Sequence, residues 1–335
     1  MKYTILLWPH ANARYRNETQ KLAEAELSVL LNRIAPEARS ASADLDMPAL
    51  SIETDAPLTD AQIAALQSHS LMYGLFEVRE GGALLPMAGR EAAYLGEDLP
   101  GILKYKGKTN ELFTQLLLNV ALYSGDFWNE KEPIRMLDPM CGRGTSLYVG
   151  ANRRWQCTGT DLDKNDLKEA ETFFKRYLEY HRFKHAIERN SLTVKGKKPA
   201  PTVQFTFADT PENFKQKDTT MLRLVNADAL HVHQAFGNRA FHLIACDLPY
   251  GVQHASMGGS LEQLLAHVLP GWRDSLKPGG TIAVSYNAQT LKTAKVWEKM
   301  EQAGLEPLTE GPYTRFAHWV EQAVTRDIAV CRKVK

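Results

Sequence analysis

With 335 residues and 44% hydrophobic content, the chain is long enough for two ordinary domains and apolar enough for a packed core. No apolar run approaches the roughly 20 residues of a membrane span, and Met1-Lys2-Tyr3-Thr4-Ile5 leads into a strand-length run without a signal-cleavage region, so the expectation is a cytoplasmic protein with no membrane contact. The net charge of +1 is unevenly spread: residues 1–100 hold 8 Lys and Arg against 14 Asp and Glu, a balance of −6, and the rest hold 32 against 25, a balance of +7, so if the chain binds nucleic acid its phosphate contacts are expected mainly from the second part.

Residues 3–8 read as a strand and 16–34 as a helix carrying Leu22, Ala25, Leu27, Leu30 and Leu31. Residues 48–53 and 71–78 are strand candidates. A short helix, Asp60 to Leu66, follows a cap at Thr59 or Asp60. The glycines Gly81, Gly82 and Gly89, then Gly96 to Gly101 with Pro100, read as loops. Residues 1–95 therefore predict a small α+β domain, and 96–335 a second one. Four cysteines (Cys141, Cys157, Cys246, Cys331) show no paired spacing and are expected as buried thiols, with neither disulfides nor a metal site.

In the second part, Thr109 is the candidate cap of a helix carrying Phe113, Leu116, Leu117 and Val120. Its amino end either only packs or also approaches a ligand. The central stretch is Ile134 to Leu147. An apolar run ends at Asp138-Pro139 and turns through Gly142 and Gly144 into a helical pattern. Proline ends the ladder and two glycines let the backbone bend against a ligand at a strand's carboxyl end. A dinucleotide fingerprint needs Gly or Ala three positions after Gly144, where Leu147 stands, so another nucleoside cofactor fits better. The next strand, Trp155 to Thr160, ends in Asp161, 17 residues past Gly144, where an acid can hold ribose hydroxyls. The alternative is a solvated strand-end Asp before a helix cap at Asp163. Leu167, Ala170, Phe174 and Tyr177 then line one face of a long helix.

Residues 181–220 read as a partly basic insertion, either a solvated loop or a guide for a phosphate backbone, with 199–207 as an extra strand. After the strand at 221–225, Asp228 either meets an adenine amino group or simply forms a turn. The second chemical stretch is Phe241 to Gly251, a buried strand running into Asp247-Leu248-Pro249-Tyr250. An exocyclic amine on a base is a poor nucleophile, because its lone pair is delocalised. A site must accept its protons, hold the ring and aim it. Asp247 and the Leu248 carbonyl can accept, Pro249 stiffens the turn, and Tyr250 offers a stacking face.

These motifs in this order resemble class I S-adenosylmethionine-dependent methyltransferases. Asp138 to Gly144 is similar to their first motif and Asp247 to Tyr250 to their amino-methylating (Asp/Asn)-x-Pro-(Tyr/Phe) motif. Leu276-Lys-Pro-Gly-Gly280 before Thr281 to Tyr286 is also similar to theirs. Over residues 100–335, Gly107-Lys-Thr109-Asn110 with Phe113 narrows the resemblance to the THUMP-associated RNA guanine-N2 methyltransferases. About 95 residues of net acidic charge precede this part, fewer than a full THUMP module is expected to need. The resemblance implies an α/β fold with a Rossmann-like seven-stranded sheet, its last strands near 305–308 and 327–331 pairing antiparallel, beside the small α+β domain. It implies S-adenosylmethionine as cofactor, held by Thr109, Asn110, Phe113, Asp138, Pro139, Cys141, Gly142, Gly144, Thr145, Asp161, Leu162, Asp228 and Ala229. Asp247, Leu248, Pro249 and Tyr250 would act on the acceptor, with no metal. RNA, tRNA foremost, is the implied partner. DNA adenine-N6, a protein or a small-molecule amine remain as alternative acceptors, and a non-catalytic binder as a further alternative.

Overall fold

The computed structural model describes residues 1–8, 13–43, 45–194, 199–249 and 260–334. The first sheet is antiparallel, in the order β2-β3-β1-β4-β5, built from β1 (Lys2–Leu7), β2 (Arg39–Ser42), β3 (Ala49–Glu53), β4 (Met72–Val78) and β5 (Leu84–Gly89). Helices α1 (Ala13–Ile34) and α2 (Asp60–Gln67) bring Leu27, Leu30 and Leu66 into one core with Tyr3, Ile5, Leu50, Ile52 and Leu75 of the sheet. Thr59 caps α2 in a reciprocal capping box with Gln62.

The remaining elements are α3 (Leu99–Ile102), α4 (Glu111–Tyr123), β6 (Arg135–Asp138), α5 (Thr145–Ala151), β7 (Gln156–Asp161), α6 (Lys164–Tyr180), β8 (His185–Leu192), β9 (Ala200–Phe207), α7 (Pro211–Lys215), β10 (Thr220–Asn226), α8 (Val232–Phe236), β11 (Phe241–Asp247), α9 (Leu261–Ser275), β12 (Leu276–Asn287), α10 (Thr293–Gln302), β13 (Glu306–Leu308), β14 (His318–Glu321) and β15 (Val324–Arg332). The second sheet runs β13-β15-β12-β11-β6-β7-β10-β9-β8, with β14 paired to β15. Strands β12, β11, β6, β7 and β10 are parallel neighbours. β15 lies antiparallel to both β12 and β13. Helices cover both faces of the parallel strands, so β11 and β12 are buried along nearly their whole length and read as continuous apolar runs.

Several expectations are corrected here. The second sheet has ten strands among the described residues where seven were expected; β8 and β9 form a hairpin that extends the β10 edge, and β14 adds to β15. The stretch from Gly81 to Gly89 is no open loop: Gly81 and Gly82, at φ 71° and 81°, make the tight turn that joins β4 to β5. Residues 99–102 form the short α3. Asn110, not Thr109, caps α4, its side chain accepting from Leu112 N–H at 2.8 Å and Phe113 N–H at 3.3 Å. All four cysteines are buried free thiols.

One hydrophobic cluster runs through both sheets, with α1 packed on α4, and a second fills the other face of the larger sheet. At that seam Glu26 of α1 is fully buried and accepts from the Ser70 N–H at 2.9 Å, from the Ser70 hydroxyl and from the Asn119 amide of α4. Asn119 also donates to the Ser68 carbonyl at 2.7 Å. A buried carboxylate is tolerated only where such donors replace its water.

Candidate functional site

The cleft opens at the carboxyl ends of the parallel strands, where open α/β sheets bind ligands, and has a volume of about 1160 Å³. Its floor is the turn after β6. Pro139 closes the strand, and the turn is tied to β7 through Cys141 N–H to the Thr160 carbonyl at 3.0 Å and the Thr160 hydroxyl to the Pro139 carbonyl at 2.8 Å. Gly142 adopts φ 50°, and a Cβ placed there meets nothing within 4 Å. The backbone is therefore bare toward the cleft. Gly144, at φ 87°, starts α5 in the left-handed conformation that glycine adopts without strain.

Carboxylates dominate the walls. Asp138 is buried, takes the Ser146 hydroxyl on Oδ2 and accepts from Met140 N–H on Oδ1 at 3.0 Å. Burial pushes its carboxyl up to about 7, against the pull of those two donors. Asp161, at the end of β7, accepts Gly142 N–H on Oδ2 and Asp163 N–H on Oδ1, both at 2.8 Å, so it braces the turn it faces. Burial raises its pKa as well. Asp228 accepts Leu230 N–H at 2.9 Å, the turn-forming role, and lines the cleft beside Ala229. With Asp163, Asp166, Asp247 and Glu262, seven carboxylates stand on a lining whose described Lys and Arg residues are Lys106 and Arg143. Arg143 is itself committed: Nε donates to Asp166 at 2.9 Å, the guanidinium pairs with Glu169, and it lies 4.6 Å over the Tyr105 ring. The Cys141 thiol, pushed well up by burial, is no thiolate nucleophile at neutral pH.

Asp247 ends β11 and faces the same cleft. Its Oδ1 accepts the Ser285 hydroxyl at 2.7 Å and its Oδ2 accepts the Thr109 hydroxyl. Ser285 is the Cα partner of Asp247 across the β11–β12 ladder.

Of the residues singled out by sequence, Thr109, Asp138, Pro139, Cys141, Gly142, Thr145, Asp161, Leu162, Asp228, Ala229, Asp247 and Pro249 meet on this one lining. Asn110, Phe113, Gly144 and Leu248 do not. Asn110 is spent on its cap, Gly144 shapes the turn behind the lining, and the Phe113 ring packs 5.3 Å from His318 and 4.5 Å beneath the Arg326 guanidinium. The Leu248 side chain is buried, while its N–H donates to the Ser285 carbonyl at 2.8 Å. Tyr250 lies outside the described residues, as do Lys195, Lys197 and Lys198 of the basic insertion. Sequence reasoning missed Tyr105, Arg143, Ser285, Glu262, His267 and Leu291. Only Arg143, inside the glycine motif, carried a local signal.

No protein-family model matches the chain, and no curated protein does. Among solved structures it is similar to TrmN from Thermus thermophilus, at 15% identity with both chains covered in full and a TM-score of 0.48. It is also similar to the rRNA methyltransferase aviRa from Streptomyces viridochromogenes, at 16% identity over 69% of this chain and 88% of that one, TM-score 0.42. A TehB-like SAM-dependent methyltransferase from Corynebacterium glutamicum matches at 18% identity over 60% and 81%, TM-score 0.36.

Proposed function

We propose that the chain is an enzyme, an S-adenosylmethionine-dependent methyltransferase that acts on an exocyclic amine of a nucleobase, guanine N2 in RNA and tRNA foremost. The observation that carries this reading is the opening of Asp247 and Pro249 into the same cleft as the Gly142 turn and Asp161. Residues 96–335 are its catalytic domain, carrying the insertion at about 181–220, and residues 1–95 a substrate-binding domain. Its compartment is the cytoplasm; no helix among the described residues is long and apolar enough to cross a membrane.

The cleft fits the cofactor. At Gly142 the backbone stands open where a side chain would intrude, Asp161 and Asp228 offer acceptors to hydroxyls and an amine, and buried Asp138 suits a cationic ligand. S-Adenosylmethionine supplies an electrophilic methyl group on a positively charged sulfur. Asp247 accepts an N–H of the incoming amine and holds its nitrogen in line, the Leu248 carbonyl is the second acceptor, and Tyr250 stacks on the base. The gain is mostly in positioning.

Carboxylates outnumber cations on the lining, and this favours one alternative, a cationic amine on a protein or small molecule. Tritiated methyl transfer from S-adenosylmethionine into separated RNA, DNA, protein and small-molecule fractions decides between them. The expected result is label in RNA, recovered as N2-methylguanosine, with Asp247→Ala slower by roughly 10². Label in DNA supports adenine-N6 methylation, and label in protein or small molecules the cationic reading. Bound cofactor with no label in any fraction overturns methyl transfer.

A further inference from the structure

Thr109 stands one residue before the cap of α4, where the sequence resemblance assigns it to the cofactor, yet its hydroxyl donates to the carboxylate of Asp247. Ser285 reaches the same carboxylate from the neighbouring strand, is fully buried, and is held in register by the ladder and by its carbonyl, which accepts the Leu248 N–H. One hydroxyl sits on each oxygen. Resting on the methyl-transfer reading above, we infer that Thr109 and Ser285 are positioning residues that fix the plane of the Asp247 carboxylate and present it to the acceptor as a hydrogen-bond acceptor only.

The physical ground is rotational. A carboxylate on a single methylene turns broadly about its last torsion, and a nucleophile must be aligned closely for in-line displacement, so a freely turning carboxylate would hold the amine in many orientations. Two donors on opposite oxygens remove that freedom. Because Thr109 and Ser285 both donate to it, Asp247 stands toward the cleft as an acceptor, and a substrate group that meets it there brings the hydrogen, as an N–H or O–H does. Thr109 precedes α4 and Ser285 lies on β12, so the carboxylate is held from two elements that pack against one another.

Two measurements test this, one with an acceptor and one without. In single-turnover transfer from tritiated S-adenosylmethionine into total tRNA, Thr109→Val and Ser285→Ala are each expected to slow transfer by roughly tenfold to a hundredfold. The half-saturating tRNA concentration and the cofactor affinity should stay within about threefold, the signature of an interaction made only on the way to the transition state. Thr109→Ser, which restores the hydroxyl, should recover most of the rate. A Thr109→Val enzyme as fast as wild type, or one slowed only through weaker cofactor binding, overturns the inference and leaves the proposed function intact. In urea unfolding, Thr109→Val and Asp247→Ala should be non-additive, the double variant losing less than the sum of the two. Additive losses overturn the contact. Non-additive losses in a protein that labels no acceptor leave the contact standing and overturn the proposed reaction.

Discussion

Asp138 shows how one buried side chain makes stability follow pH. Its carboxyl is held up near 7 by burial, with the neighbouring Asp161 and Asp247 adding to the shift. In the unfolded chain it titrates near 4. Below that range both states are protonated and nothing is at stake; between about 4 and about 7 the folded chain keeps a proton that the unfolded chain releases, so stability falls as pH rises. Above about 7 the loss is complete, on the order of 4 kcal/mol by the size of the shift. Asp138→Asn removes the titration. Urea unfolding of wild type and Asp138→Asn from pH 4 to pH 8 should therefore show wild type losing ground steadily across that window, and a constant difference between them would contradict the assignment.

At the scale of elements, α4 carries the most consequence for the site, because its start sits beside Asp247. Asn110 alone satisfies two of its first N–H groups, and Asn110→Ala should cost about 1 kcal/mol, read as a lower midpoint in thermal unfolding. Thr109 and Asn110 are adjacent and both are cap formers, so local sequence does not say which one turns inward to the backbone. Here Thr109 is drawn to the Asp247 carboxylate instead. The same limit explains the other differences. Strands β11 and β12 and the buried face of α6 announce themselves through apolar runs and helical spacing. By contrast, the four residues of β2 are all exposed, β5 contains Pro86 and ends at Gly89, and β8 is mostly polar, so none shows the alternation of a half-buried strand. The motifs at Asp138–Gly144 and Asp247–Pro249 were legible because glycine, proline and acid spacing encode a turn. Ser285 and Tyr105 were not, because their roles come from strand register and from the packing of distant segments.

At the scale of the whole molecule, the seam between α1 and α4 holds the two sheets together with a shared core and a buried carboxylate. Glu26→Ala strands the Ser70 and Asn119 donors without water to replace their partner, which should cost about 3 kcal/mol. Because one cluster joins the two sheets, fluorescence and circular dichroism should report one coincident urea transition in wild type and in Glu26→Ala, shifted down in the variant. Two separate transitions would show that the sheets fold independently.

The two ends of this seam helix also set a rule for how the chain can change length. Asn119 of α4 must face Glu26, while Thr109, just ahead of the Asn110 cap that starts the same helix, must face Asp247. One residue inserted between them would turn one end by about 100° against the other. Within α4 only a change that restores the helical phase keeps both grips, so a one-residue insertion there should cost more than one in the exposed turn between β4 and β5.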